Sequence, residues 1–338
     1  MPLQARRPRP TGLQAAAPAP MPPLQRALAL VGPDMAAAEA ALEGSLASIV
    51  PAVSTVAHYL VDAGGKRLRP LITALGARAV GHTGDLVPLL CAGEILHLGS
   101  LLHDDVVDGG LERRGRVAAH RVYGNAAAVL AGDFCLARAV MLAAEGGGQP
   151  AVVELSRVVT RMAEGEVSQL LHAGRFDLDL PQYYAIIEAK SAALIAWCAS
   201  AGALALGDAP AAAALTEYGS AVGVAFQLTD DVLDYNGDAA RTGKQPGADL
   251  LEGKLTLPLL LAIDRDPPLG ERLRAGPVTR DELPALLARV AATGACDETL
   301  QQARDRVEAG IKALHGLPPS AHRDALEALA FTLVERAS

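Results

Sequence analysis

The chain of 338 residues is long enough for about two ordinary domains or one with a large core. Its 30 Lys and Arg against 38 Asp and Glu leave a formal charge of −8, which gives a nucleic-acid backbone no electrostatic reason to bind. Hydrophobic residues make up 51% but aromatics only 3%, so the interior must be assembled from Ala, Leu and Val, a composition that suits close-packed helices and argues against an all-β fold.

Residues 1–33 combine Arg6, Arg7 and Arg9 with a Pro/Ala run from Ala15 to Pro23. The prolines break up any apolar segment a secretory signal would need, and no apolar helix follows the Arg6-Arg7 pair. This stretch is expected to be disordered, ahead of one all-α domain over 34–338. From there apolar residues recur at three- and four-residue spacing between Gly and Pro breaks. The basic turn Gly64-Gly65-Lys66-Arg67-Leu68-Arg69-Pro70 precedes a long helix expected from Asp85 to Asp108, which Gly109-Gly110 closes. Further helices are expected near 125–144, 151–172, 181–206, 211–235 and 255–264, then over 281–336, with no strand. The uncharged stretch Ser191–Gly207 is marginal for a bilayer span and reads as a buried helix, so no transmembrane segment is expected. Cys91, Cys135, Cys198 and Cys296 are far apart and form no CxxC pair, which suits a reducing cytoplasm and suggests neither disulfides nor zinc.

One segment recurs. Asp104-Asp105-Val106-Val107-Asp108 and Asp230-Asp231-Val232-Leu233-Asp234 both read DDxxD near a helix end. Positions i and i+4 share a helix face, so each copy presents paired carboxylates in one direction, and like charges that close repel unless a cation lies between them. A single DDxxD is most simply a solvated acidic helix end; a second copy, again preceded by apolar residues, favours a site. Carboxylates without His or Cys partners suit hard cations, and Mg²⁺ in particular is held by a few carboxylates together with a substrate's phosphate oxygens. The basic turn and Arg113-Arg114 supply close backbone approach at Gly, the bidentate Arg fork and the compact Lys charge, a mixture that suits a diphosphate. His97, seven residues before Asp104, lies on nearly the same helix face and can donate to a phosphate oxygen. His103 is turned about 100° from Asp104 and reads as structural.

GGKRLRP (64–70), LLHDDVVD (101–108) followed by RRG (113–115), GNAAAVLAGD (124–133), FQLTDDVLD (226–234) and GKQPGADLLEGKLTLP (243–258) resemble, in this order, the motifs of the trans-isoprenyl diphosphate synthases, or polyprenyl synthetases. The resemblance spans roughly residues 35–336. It implies an all-α bundle of the isoprenoid synthase type around a central apolar cavity, and head-to-tail condensation of isopentenyl diphosphate onto an allylic diphosphate. It also implies Mg²⁺, three ions per site, held by Asp104, Asp105, Asp108, Asp230, Asp231 and Asp234. Arg113, Lys190, Ser191, Gln227, Lys244 and Lys254 would contact the allylic diphosphate, with Lys190 and the aspartates as the catalytic groups. Lys66, Arg69, His97 and Arg114 would hold isopentenyl diphosphate.

Two departures from the family stand out: Ser191 replaces a usual Thr but keeps the hydroxyl, and Val117-Ala118 stands where Pro-Thr commonly follows RRGx. In the family, bulky residues four and five positions before the first DDxxD close the chain pocket. Ser100 and Gly99 are small, which implies a medium- or long-chain all-trans product (C30–C50) of the quinone side-chain type, with a floor near Val140–Leu142. Geranylgeranyl or farnesyl diphosphate is the shorter alternative. A cytoplasmic homodimer, with peripheral membrane contact for product release, completes the expectation. Three other readings fit less well. An HD-type phosphohydrolase leaves the second DDxxD unexplained, a terpene cyclase has no need of GGKRLRP, and a non-catalytic partner subunit could dispense with acidic clusters that are intact here.

Overall fold

The structure, a computed structural model, describes residues 21–236 and 246–335. Among them every element is helical except one two-residue hairpin. The chain order begins with α1 (Pro23–Leu30), α2 (Gly32–Ser45), α3 (Pro51–Val61), α4 (Leu68–Ala79) and α5 (Val87–Val107). The hairpin β1 (Glu112–Arg113) and β2 (Arg116–Val117) leads into α6 (Ala119–Tyr123) and the long α7 (Asn125–His172). There follow α8 (Leu180–Ile187), a π turn (Glu188–Ala192), α9 (Ala193–Leu206) and α10 (Ala209–Asn236). The C-terminal part holds α11 (Ala248–Leu251), α12 (Leu257–Arg265), α13 (Pro267–Arg274), α14 (Leu283–Ala292), α15 (Ala295–Leu314) and α16 (Ala321–Glu335).

The expected boundary at residue 33 is corrected. Pro23 occupies the start of α1, where a missing N–H costs nothing, and Ala27 and Val31 are fully buried as α1 packs on α16. The prolines that argue against a helix upstream thus initiate one, and burial against a helix 300 residues away, invisible to local sequence, stabilises it. Residues 1–20 lie outside the described residues. The hairpin was also not expected. Arg114 and Gly115 both adopt positive φ (54° and 72°), the two-residue turn that matches strand twist, and four strand residues are too few to leave a pattern.

Two further differences concern continuity. The helices expected at 125–144 and 151–172 run on as α7, broken only at Gly148, whose φ of 61° lies just before Pro150. The single helix expected at 181–206 is instead α8, the π turn and α9, with Asp179 and Gln182 forming a capping box at its start.

Small residues set the packing. Helix α9 lies between α4 and α10, and glycines open both contacts. A Cβ on Gly76 would meet the Ala199 carbonyl oxygen at 2.2 Å, and one on Gly202 would meet the Ala77 Cβ at 2.3 Å. On the other side a Cβ on Gly219 or on Gly223 would meet the Cα of Ala196 or of Ala192, at 2.6 and 2.5 Å. The alanine-rich, aromatic-poor composition is therefore matched to helix axes brought unusually close. The α5–α7 contact follows the same rule, with Gly132 beneath the His103 ring, whose Nε2 lies 3.0 Å from the Val129 carbonyl oxygen. His103 is structural, as expected. A second, smaller core around Val232, Tyr235, Leu259 and Val290 joins the C-terminal end of α10 to α11–α15.

By length and composition, Asn125–His172 and Leu180–Leu206 are each apolar enough to cross a bilayer; the apolar window of the second is 67% buried inside the chain, that of the first 39%. The second is a core helix, whereas α7 leaves Leu130, Met141, Val167 and Leu171 at the surface.

Gly76→Ala should therefore destabilise the fold by roughly 1–3 kcal/mol, because the added methyl overpacks the α4–α9 contact. Gly44→Ala, in open space on α2, should stabilise by up to about 1 kcal/mol through helix propensity. Chemical denaturation of both variants checks this, and equal effects would contradict the packing argument.

Candidate active site

Helix α5 ends at Asp108, whose N–H donates to the Asp104 carbonyl at 2.8 Å before Gly109 turns the chain at φ 64°. That ending places Asp104 and Asp108 on the last turn. Burial raises the Asp104 carboxyl from 3.8 to about 6; the positive charge of Lys190 opposes the rise, and Glu166 and Asp108 add to it. Asp105 points elsewhere. It is buried and takes both the Nε (2.7 Å) and Nη2 (2.6 Å) of Arg113 on Oδ1, while its buried Oδ2 has no hydrogen-bond partner. The expected pair of a metal-binding Asp105 and a diphosphate-binding Arg113 is thus, in this structure, an ion pair that fixes the hairpin to α5.

The second cluster ends α10. Asp231 is buried and accepts from Tyr183 Oη at 2.6 Å and Gln227 Nε2 at 2.8 Å; Ser191 Oγ donates to Gln227 Oε1 at 2.6 Å. Desolvation raises Asp231 from 3.8 to about 7 even against these donors. Asp234 accepts the backbone N–H groups of Ala248 and Asp249 at 3.1 Å each, so its carboxylate holds the start of α11 in place. Asp249, close to Asp231 and Asp234, is raised to about 8, first by burial and then by those two charges.

The two clusters meet. Lys254, in the loop after α11, donates to Asp108 at 2.9 Å and pairs with Glu252 at 2.7 Å, and these carboxylates raise its pKa despite burial. Pairwise links run from Asp108 to Lys254, from Lys254 to the Asp249–Asp234–Asp231 group, and on to Gln227 and Ser191, beside Lys190 in sequence. Lys190 itself pairs with Glu166 and donates to Gln169 at 2.8 Å. Lys244 lies outside the described residues.

The basic turn forms the third side. Arg67 starts α4 in the left-handed region (φ 47°), pairing with Glu39 at 2.8 Å and with buried Glu94 at 3.1 Å. Arg69 differs: its Nε is buried without a hydrogen-bond partner, and burial lowers its pKa. Arg114 donates to the carbonyls of Leu60 (3.1 Å) and Gly64, tying the hairpin to the turn. His97 is held well below its ordinary pKa by desolvation and by Arg69, Arg114 and Arg113, a neutral imidazole among three guanidinium groups. Lys66 is exposed beside them. An anion is what such a group lacks.

The chain-length positions divide. Ser100 is half-buried with Oγ donating to the His97 carbonyl at 2.9 Å. Gly99 does not face open space, since a Cβ there would meet the Cys135 Cβ and the Gly132 carbonyl oxygen at 3.0 Å. Its small size serves helix packing rather than an open tunnel, which corrects half of the expectation. Among the described residues a crevice of about 580 Å³, lined by Glu154, Glu217, Val224 and Arg306, contains none of the motif residues and takes no part in this site.

No three His, Cys, Asp or Glu side chains among the described residues converge on one point to cage an ion. The donor set nevertheless fits a hard divalent cation: it is all carboxylate, burial raises Asp104 and Asp231, and Asp105 Oδ2 is left without a hydrogen-bond partner. Such an ion is completed by the phosphate oxygens of a ligand. Sequence reasoning missed Tyr183, Asp249, Glu166 and Gln169. Asp249 lay inside a quoted motif, but nothing local marks the other three, which act only through partners distant in sequence.

Comparison with known proteins agrees with this geometry. The polyprenyl synthetase family model matches residues 50–288. The octaprenyl diphosphate synthase of Escherichia coli (strain K12) is 38% identical, over 93% of this chain and 99% of that one. A polyprenyl synthase from Caulobacter crescentus CB15, solved with calcium and isoprenyl diphosphate, superposes with a TM-score of 0.88 at 41% identity, over 93% of this chain and 98% of that one. A decaprenyl diphosphate synthase from Rhodobacter capsulatus gives a TM-score of 0.87 at 35% identity, over 93% and 99%. On its motifs, its all-α isoprenoid synthase fold and these similarities, the chain belongs to the polyprenyl synthetase family.

Proposed function

We propose that the chain is a prenyltransferase that condenses isopentenyl diphosphate head-to-tail with an allylic diphosphate, making a medium- or long-chain all-trans polyprenyl diphosphate (C30–C50). The observation that carries this is the ion pair that joins the first DDxxD helix end to the loop beside the second, together with a basic turn in which the buried Nε of Arg69 has no hydrogen-bond partner, an arrangement that suits two diphosphates of different character. The relatives named as octaprenyl and decaprenyl diphosphate synthases support the long product.

In this reading Asp104, Asp105, Asp108, Asp230, Asp231 and Asp234 would hold Mg²⁺, which would supply positive charge to the leaving group. The chain's own residues do the rest. Lys190 and Lys254 stabilise charge that develops as the allylic C–O bond breaks, and Gln227 and Ser191 orient Asp231. Lys66, Arg69, His97 and Arg114 hold isopentenyl diphosphate so that its double bond faces the cation. After C–C bond formation a proton is lost to the released diphosphate. Tight helices keep water from the cation. The exposed apolar residues of α7, Leu130, Met141, Val167 and Leu171, suit a second copy of the chain, and four buried cysteines that form no disulfide suit the cytoplasm.

Asp104→Ala and Asp230→Ala should each lower turnover by at least about 10²-fold, or roughly 2.7 kcal/mol of barrier, with the circular dichroism unchanged. Lys66→Ala and Arg69→Ala should mainly raise KM for isopentenyl diphosphate. Steady-state assays with an allylic primer and Mg²⁺ test both; near-normal turnover in either aspartate variant ends the two-cluster reading. Chromatography of the extracted products checks length: wild type should pass C20, and Ser100→Phe should shorten the product while leaving the first condensation intact.

Burial of unneutralised carboxylates also fixes a pH dependence. The native state binds more protons than the unfolded one between about pH 4 and 7, because Asp104 and Asp231 titrate near 6 and 7 rather than 3.8, so their contribution to metal-free stability falls as pH rises through that window. Asp104→Asn should therefore be more stable than wild type at pH 8 without metal, by up to about 3 kcal/mol, and equal to it near pH 4. Mg²⁺ with inorganic diphosphate should narrow the gap by stabilising wild type. Calorimetry at both pH values decides; a variant less stable at pH 8 contradicts the argument.

A further inference from the structure

Lys190 lies in the π turn that leads into α9, and its surroundings are built in a way that the reaction's known parts do not explain. A lysine has a flexible four-carbon stem, and holding its ammonium at one point costs rotamer freedom unless the protein holds it beforehand. Three features converge on that task. Lys190 sits in the π turn Glu188–Ala192, a local widening of the helix that re-aims its side chain relative to the flanking α8 and α9. Helix α7 touches this turn at Gly165, where a Cβ would meet the Ala189 Cβ at 2.9 Å, the Lys190 nitrogen at 3.1 Å and the Ile186 carbonyl oxygen at 3.3 Å. The next residue, Glu166, pairs with the Lys190 ammonium through Oε2, and Gln169, one helical turn on, accepts from it at 2.8 Å. Glu166 keeps its other oxygen, Oε1, buried and without a hydrogen-bond partner.

We propose that Glu166, seconded by Gln169, is the positioning residue for Lys190: the two acceptors take two of the three ammonium hydrogens and leave the third to be presented to the allylic diphosphate. The inference rests on the reading of Lys190 as an allylic diphosphate contact. It answers why an anion lies beside a cation that must itself bind an anion. A free lysine would have to be gathered into place as charge develops on the leaving group, whereas one already held needs no reorganisation at that moment, and the gain appears in the transition state rather than in ground-state binding. Gly165 is part of the same device, since any larger residue there would push the π turn off α7.

The test is a double-mutant cycle on the full chain, with Glu166→Ala, Glu166→Gln, Lys190→Ala and the double variant Glu166→Ala/Lys190→Ala. Each is assayed for kcat and both KM values with isopentenyl diphosphate, an allylic primer and Mg²⁺. Glu166→Ala should lower kcat by at least about 10-fold, as expected of a misplaced catalytic group, with KM for isopentenyl diphosphate within about 3-fold of wild type. Glu166→Gln, which keeps an acceptor, should recover part of the loss. The double variant should be no worse than Lys190→Ala by more than about 2–3-fold, because Glu166 has nothing left to position. Gly165→Ala should lower kcat in the same manner. If the losses of the single variants multiply in the double variant, or if Glu166→Ala resembles wild type while Lys190→Ala is impaired, the positioning role is overturned. If Lys190→Ala itself has normal kcat and allylic KM, the assignment of Lys190 to the diphosphate fails instead. A merely structural Glu166 would lower the melting temperature and leave the single and double effects independent.

Discussion

The constraint on which this structure turns is the burial of carboxylates of like charge at the ends of two helices that face one another. Asp104, Asp231 and Asp249 are all raised by desolvation, and their mutual repulsion is only partly offset within the chain. The offsets are distributed with some economy: Arg113 takes Asp105, Lys254 takes Asp108, Tyr183 and Gln227 take Asp231, and the backbone of α11 takes Asp234. What is left over is a site poised for external positive charge. A fold tolerates such a site only when its remaining helices are tightly packed, and the glycine contacts of α4, α9 and α10 provide that.

Much of the fold and the outline of the site were legible in the sequence. The long apolar periodicities mark the main helices, and i, i+4 spacing alone puts Asp104 with Asp108. His103 was likewise placed by a 100° rotation alone. What escaped was decided by partners far along the chain. α1 forms because Ala27 and Val31 are covered by α16, and the π turn exists within an otherwise helical pattern whose composition does not betray it. Gly99 was read as room for a product when it is room for Cys135 and the α7 backbone; small residues look alike in sequence whether they line a tunnel or a helix contact. Tyr183 and Glu166 escaped for the complementary reason, since each touches its partner across 48 residues and 24 residues respectively and each sits in an ordinary amphipathic stretch.

The basic turn shows how one motif divides its labour. Arg67 and Arg69 are two residues apart, yet Arg67 is saturated by Glu39 and Glu94 while Arg69 is buried with its Nε unpaired. The first fixes α4 to α2 and α5; the second keeps a buried donor without a hydrogen-bond partner. Arg114 belongs partly to each class, since it spends one nitrogen on the carbonyls of Leu60 and Gly64 and still lies within the field that keeps His97 neutral.

In the proposed reading a chain with a net charge of −8 binds two polyanions. Net charge acts over a Debye length of about 8–10 Å in physiological salt, whereas binding in a desolvated mouth is decided by the nearest few groups. Arg69, Arg113 and Arg114 around one neutral imidazole form a local positive basin on the α4 side. On the opposite side the acidic helix ends form a negative one, which becomes attractive to a diphosphate only after divalent cations enter. In the proposed reading the two substrates are told apart by the sign of the protein charge that greets them: one diphosphate would be met by arginine directly, the other as a metal complex. Swapping the two subsites would put a bare diphosphate against Asp104 and Asp231, and the repulsion of like charges in a medium of low dielectric would exclude it.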